Sequence, residues 1–212
     1  MGKATRDPWD RDYTPDALAL AIAHVVRGRV PMAASVVDLG TGGGAFVRAA
    51  REAWPGATVD AIDIDPDATG LVEADNGVAL PLSEVRAACG GAVVWDVAIG
   101  NPPFSIAEAF IRDACAVADH VAFLLPGMFF GGAVRRGLWV DGPAEDVKLS
   151  HVWPILERPT FRSDGKTDAQ VYAVAMWSRG WSGPACYGPW LTCPGGWGRP
   201  RPRLVPPGCD IS

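Results

Sequence analysis

The sequence predicts an α/β fold: a mostly parallel sheet with helices on both faces, closed by an antiparallel hairpin. Short apolar runs alternate with segments of helical period from about residue 15 to residue 126, a pattern that builds parallel β-α-β units with right-handed crossovers. The pattern then changes. "HVWPIL" (151–156) and "QVYAVAMWS" (170–178) are strand-like runs with no helical period between them, which is how an antiparallel pair reads.

Each element follows from local chemistry. In "TPDALALAIAHVV", Thr14 is placed to cap, Pro15 stands at the first helical position, and apolar residues recur at helical spacing, predicting a helix over 15–27;. "SVVDLG" (35–40) is a short apolar strand, followed by a glycine cluster and a helix through Trp54. "ATVDAIDIDP" (57–66) is a second strand, stopped by Pro66;. Residues 67–92 leave room for one short strand in "TGLVEADNG" and one short helix in "SEVRAAC". "AVVWDVAIG" is a strand, "SIAEAFIRDACAVA" a helix and "HVAFLLP" a further strand. The loop "ERPTFRSDGKTDA" within the hairpin is long for a compact domain, and such loops are often functional;. From Gly180 onward Gly, Pro, Trp and Cys dominate. The expectation is one domain over 1–179 and an irregular tail over 180–212 that packs through its tryptophans.

The 212 residues are 49% apolar and 20% charged, globular values for one domain;. A net charge of −5 counts against a protein that grips nucleic acid through phosphates alone, while leaving room for a local basic face;. Five cysteines without a C-x-x-C pair and three scattered histidines weigh against zinc or a disulfide framework and fit a reducing cytosol;. The charged, proline-containing N-terminus lacks the apolar core of a signal peptide, and the longest apolar run is broken by Pro126 and glycines;. A cytoplasmic protein without a membrane span is expected.

Three stretches carry chemistry. In "DLGTGGGAF", Gly40, Gly42 and Gly44 lie between strand and helix, where glycine permits positive φ and close approach of a ligand; a plain tight turn is the alternative;. The spacing fits the dinucleotide fingerprint poorly. Asp63 ends the second strand, where a carboxylate can accept both ribose hydroxyls or simply cap the next turn;. "VVWDVAIGNPPFS" (93–105) starts as a buried strand and ends in Asn101, two prolines and an aromatic. The prolines remove two backbone donors and fix two φ angles, so the ladder stops in a stiff corner at the carboxyl end of a strand. Open α/β sheets bind their ligands there.

In that order, "VVDLGTGGGAF", "AIDIDP" and "NPPF" resemble the first, second and fourth motifs of the S-adenosylmethionine-dependent methyltransferases, and among them the amino-methylating enzymes marked by Asp/Asn-Pro-Pro-Tyr/Phe. The resemblance covers residues 13–178. "YTP" (Tyr13, Thr14, Pro15) is similar to the segment that meets the cofactor's methionine end, and the motif order matches the gamma arrangement of adenine-N6 enzymes. "RPTF" followed by "GKTDAQVYAVAMW" resembles the closing hairpin of small phage and prophage adenine methyltransferases.

The resemblance implies a Rossmann-like, seven-stranded methyltransferase sheet and S-adenosyl-L-methionine as cofactor. It implies methylation of adenine N6 in a nucleic acid, DNA ahead of RNA. The cofactor residues it implies are Tyr13, Thr14, Asp38, Gly40, Gly42, Gly44 and Asp63. Asp75 in "EADN" stands either as the third-motif partner of the cofactor's adenine amine or as a surface-loop residue. At the corner, the Asn101 side-chain oxygen and the Pro102 carbonyl would hold both hydrogens of a planar amine, Pro102 and Pro103 would keep them rigid, and Phe104 would stack on the base. This requires the Asn101 carboxamide to be uncovered and to face the hollow over the glycine turn. Phe161 would press on the base from the other side or serve as a hydrophobic plug. Arg135, Arg136, Arg158, Arg162, Lys166, Arg199, Arg201 and Arg203 would hold phosphates or remain solvated;. Enzymes of this subgroup commonly carry a recognition domain, so weak specificity or a specificity partner is expected. A protein methyltransferase acting on a glutamine amide and a non-catalytic cofactor-binding module remain as alternatives.

Overall fold

The computed structural model describes residues 13–70, 73–161 and 170–198. In chain order its elements are α1 (Asp16–Arg27), β1 (Ser35–Leu39), α2 (Ala45–Ala53), β2 (Thr58–Asp63), α3 (Pro66–Gly70), β3 (Asn76–Ala79), α4 (Leu82–Ala88), β4 (Trp95–Gly100), α5 (Ala107–Val117), β5 (Ala118–Pro126), α6 (Arg136–Trp139), β6 (Val147–Ile155), β7 (Tyr172–Arg179) and β8 (Cys186–Tyr187). One sheet of order β3-β2-β1-β4-β5-β7-β6-β8 contains every strand. β1 to β5 pair in parallel, and β7 inserts antiparallel between β5 and β6. The strand order reverses between β1 and β4.

The strands of the centre are buried on both faces, as parallel strands covered by helices must be;. Val36, Val59, Val97, Ala122 and Val174 pack toward α1 and α2. Their neighbours Val37, Ile62, Ala98, Val121, Phe123 and Trp177 pack toward α4 and α5. This is the period-2 alternation of a pleated sheet.

Three expectations need correction. The seven strands are joined by an eighth, because Cys186–Tyr187 pairs parallel with His151 and Val152 of β6. β6 begins at Val147 rather than 151: the Asp146 carbonyl accepts from the Gly180 amide, extending the ladder toward the amino end, and a register shift between Leu149 and His151 disguises the alternation. Thr14 does not cap α1. Pro15 takes the cap position, its carbonyl accepting from Leu18 and Ala19, while Thr14 is buried at the site described below.

Beyond β8 the chain stays fastened to β6. Gly188 donates to the Val152 carbonyl, Leu191 to Pro154, and Leu156 back to Leu191. Trp197 is 4% exposed, whereas Trp190 remains 59% exposed. Gly188 is required by space: a Cβ there would lie 2.2 Å from Cδ1 and Nε1 of Trp153. Gly188→Ala is therefore expected to destabilise the fold by about 1–3 kcal/mol, the usual cost of overpacking. Gly56→Ala, with nothing within 4 Å, should stay within about 0.5 kcal/mol of the parent. Urea denaturation of the two variants checks both.

Candidate active site

β1 and β4 are adjacent parallel strands with Asp38 opposite Ile99, so the residues that follow them, Gly40 and Asn101, leave the sheet side by side. β4 approaches β1 so closely at its end that a Cβ on Gly100 would sit 2.5 Å from the Leu39 carbonyl oxygen. A hollow opens at this point. It is lined by Tyr13 and Thr14 before α1, by Gly40, Thr41, Gly42 and Gly43 of the turn, by Ala45, Phe46 and Arg48 of α2, and by Asn101.

The glycine turn has the backbone that its sequence requires. Gly42 sits at φ +50°, with the Tyr13 ring 3.4 Å from where its Cβ would be, and Gly44 at φ +73° is the cap of α2;. Asp63 fixes the turn: one oxygen accepts from the Gly42 amide at 2.8 Å, the other from the Asp65 amide at 2.9 Å. A carboxylate retains further acceptor capacity after two such bonds.

Asp38 lies beneath the turn, fully buried, and neither carboxyl oxygen has a hydrogen-bond partner among the described residues. Burial raises its pKa well above the ordinary range and the Asp63 charge raises it further, against opposing pulls from the Val47 amide and Arg48. Burial of this kind favours the protonated over the charged form.

At the corner, Pro102 is buried, while Pro103 and Phe104 are half-buried. Asn101 lines the hollow, yet its side-chain oxygen has less than 1 Å² of exposed surface. The expected open acceptor is thus turned inward in this state. The Phe104 ring lies 6.1 Å from the Tyr172 ring, tilted by 41°.

Two expected residues stand elsewhere. Asp75 accepts from the Val59 amide at 2.7 Å and pairs with Arg51 at 3.2 Å. Val59 is near the amino end of β2, four residues and roughly 13 Å from Asp63 at the strand's rise;. Asp75 fastens the sheet edge there, and the Val59 amide, ahead of Arg51, draws its pKa down. Phe161 is 4% exposed and packs edge-on against Tyr172 at 4.9 Å. It is a plug behind the corner rather than an open face for a base.

Of the candidate phosphate contacts, Arg158 is exposed. Arg135 donates to the Gly131 carbonyl and lies 4.5 Å over the Phe129 ring. Arg136 stands 3.7 Å from Asp141, both exposed. Arg162, Lys166, Arg199, Arg201 and Arg203 lie outside the described residues.

Sequence reading missed Arg48. Its guanidinium donates to the Gly43 carbonyl at 2.9 Å and to Asp16 at 2.6 and 3.2 Å, while lining the hollow. A basic residue in the first turns of the helix after a glycine turn was the available signal.

Neither protein-family models nor curated proteins give a match. Solved structures do. An assigned RNA methyltransferase from Pyrococcus horikoshii superposes with a TM-score of 0.65 at 19% identity, covering 84% of this chain and 92% of its own. A modification subunit assigned to a type I restriction enzyme from Vibrio vulnificus gives 0.54 at 15% identity, over 87% of this chain and 48% of its own. The plantazolicin methyltransferase BpumL, solved in complex with SAH, gives 0.51 at 10% identity over 77% and 85%. The likeness shows the fold: a Rossmann-like methyltransferase sheet. Among the described residues no helix is long and apolar enough to cross a membrane.

The upward shift of the Asp38 pKa has a consequence for stability. A carboxyl whose folded pKa lies above its unfolded value of about 3.9 holds its proton in the native state and releases it on unfolding. Its contribution is therefore present at low pH and is lost as pH rises above about 3.9. Asp38→Asn should remove that decline, so its denaturation midpoint should vary less with pH than the parent's. Parallel pH profiles would show that the Asp38 carboxyl does not hold its proton.

Proposed function

We propose that this protein transfers the methyl group of S-adenosyl-L-methionine to the N6 amine of adenine in a nucleic acid, DNA ahead of RNA. The observation that carries the reading is that Asn101 of the Asn-Pro-Pro-Phe corner and the positive-φ glycine turn line one hollow, where the strand order reverses;. The reading is supported by the fold shared with proteins assigned as an RNA methyltransferase and as a restriction-modification subunit.

The residues present fit this cofactor. Side chains at Gly40 and Gly42 would intrude on the hollow or meet the Tyr13 ring at 3.4 Å. Arg48 and the α2 amino end suit the methionine carboxylate. Thr14 and Tyr13 close that end, and Asp63 has acceptor capacity for ribose hydroxyls. Asp38 lies buried beneath the turn. When bound, the cofactor supplies the electrophilic methyl on its sulfonium.

An exocyclic amine on an aromatic ring is a poor nucleophile because its lone pair is delocalised. The Asn101 carboxamide oxygen and the Pro102 carbonyl would take the two amine hydrogens and leave the lone pair directed at the methyl. The prolines hold these acceptors in place, so little reorganisation is needed at the transition state. Phe104 would stack on the base. The inward Asn101 oxygen must turn out first, a rotation about the broad, near two-fold χ2 of asparagine that exchanges its oxygen and nitrogen. A duplex substrate would also have to extrude the adenine. The amine proton leaves after transfer.

Purified protein given labelled S-adenosylmethionine is to be offered, separately, unmethylated DNA, structured RNA and a Gly-Gly-Gln-bearing protein. Label on adenine N6 is expected. Label on glutamine would install the protein-methylating reading, and bound cofactor with no transfer would leave a non-catalytic module. Asn101→Ala should lower transfer by roughly 10²-fold or more with cofactor affinity unchanged. Joint loss of binding and transfer would assign the corner to folding.

A further inference from the structure

The segment after β7 holds Glu157, and four residues along the chain Phe161 begins a series of ring contacts that reaches the corner. The Trp197 indole donates to the Glu157 carbonyl at 2.8 Å, and the Cys193 amide donates to the Glu157 carboxylate at 2.8 Å. Glu157 therefore has both its backbone and its side chain held by residues more than 35 positions away. Phe161 follows four residues later in the same loop. Phe161 packs edge-on against Tyr172, and Tyr172 meets Phe104 of the Asn-Pro-Pro-Phe corner. Trp197, Leu191, Phe161 and Tyr172 belong to one buried apolar cluster, with Phe104 packed against it. Tyr172 belongs to β7 and Leu191 bridges Ile155 at the end of β6, whereas Trp197, Glu157, Phe161 and Phe104 lie outside the strands.

We propose that the segment from Cys186 to Trp197 is a positioning element for the acceptor side of the active site. By clamping Glu157 it sets Phe161 and Tyr172 behind Phe104, and so fixes the ring on which the acceptor base stacks. The inference rests on the methyl-transfer reading for its catalytic consequence, though not for the linkage itself. Tyr172 and Phe161 are positioning residues: they act through Phe104, half-buried at the corner while they are fully covered. The cofactor side is held by different groups, Asp63 on Gly42 and Arg48 on Gly43, so the clamp should act on acceptor and transfer and leave cofactor binding alone.

The test replaces Phe104 with para-fluorophenylalanine in the full chain and follows the fluorine resonance, with no substrate present. Trp197→Phe removes the indole donor and keeps an aromatic ring; Trp197→Ala removes both. A displaced fluorine resonance is expected in both, larger for Trp197→Ala and partly restored in Trp197→Phe. In the same variants without the fluorine, kcat on the methyl acceptor should fall by roughly tenfold to a hundredfold, as for misplacement of a reacting group by about 1 Å. Cofactor affinity should not change. A resonance in natively folded Trp197→Phe that coincides with the parent's would overturn the proposal. Should Trp197→Ala fail to fold, Glu157→Ala, which removes the acceptor of the Cys193 amide, takes its place with the same two expectations. If the parent chain methylates no nucleic acid while the fluorine resonance still responds to Trp197→Phe, the substrate reading falls and the linkage stands.

Discussion

The close approach of β4 to β1 is the constraint on which the site depends. A strand end whose next atom would lie 2.5 Å from a neighbouring carbonyl admits only glycine, and Gly100 is that residue. Because the contact occurs at the reversal of strand order, the chain leaving β1 and the chain leaving β4 have no strand between them to hide them. Gly40 and Asn101 emerge together, and a Cβ on Gly40 would lie 3.9 Å from the Asn101 carbonyl oxygen. The glycine turn and the proline corner are 60 residues apart in sequence, yet one backbone contact sets their spacing.

What the sequence made legible was periodic or rigid. Apolar runs gave β1, β2, β4 and β5, and helical spacing gave α1 and α5, because both signals are produced by burial that repeats every two or every three to four residues. The proline corner was legible because two fixed φ angles leave few alternatives. The rest depended on partners distant in sequence. Asp75 was left open because a short interval from Asp63 does not say which end of a strand a carboxylate will meet; the Val59 amide captured it. Arg48 was missed because its partner Asp16 lies 32 residues earlier. β8 carries two exposed residues in a region of Gly and Pro, and only the free side of β6 makes it a strand.

The tail shows why composition alone is a poor guide to role. Gly, Pro and Trp without periodicity read as irregular, and of the tail's described residues, up to Gly198, only Cys186–Tyr187 form a strand. Their backbone groups are nevertheless used one by one: Gly188 on Val152, Leu191 on Pro154 and Cys193 on Glu157. A segment that satisfies its polar groups on a strand edge, and buries a tryptophan behind a loop, also covers an edge that would otherwise invite pairing with another chain.

Electrostatics then orders the remaining groups by weight. Asp63 accepts two backbone amides, and hydrogen bonds to a charged group contribute about 1.5–3 kcal/mol each. The Arg48–Asp16 pair is more than a quarter exposed at both ends, where such pairs are worth about 0.2–1 kcal/mol. The turn is therefore held chiefly by Asp63 at the Gly42 amide, with Arg48 at the Gly43 carbonyl as a lighter, more adaptable brace. That division suits the two groups. The anion cannot leave without unmaking the turn, and its charge adds to the burial that raises the Asp38 pKa. On the methyl-transfer reading proposed above, the cation would shift its allegiance from Asp16 to an arriving carboxylate at little cost, because the pair it gives up is weak. A hollow built this way would keep its shape through the strong contact and receive its ligand through the weak one.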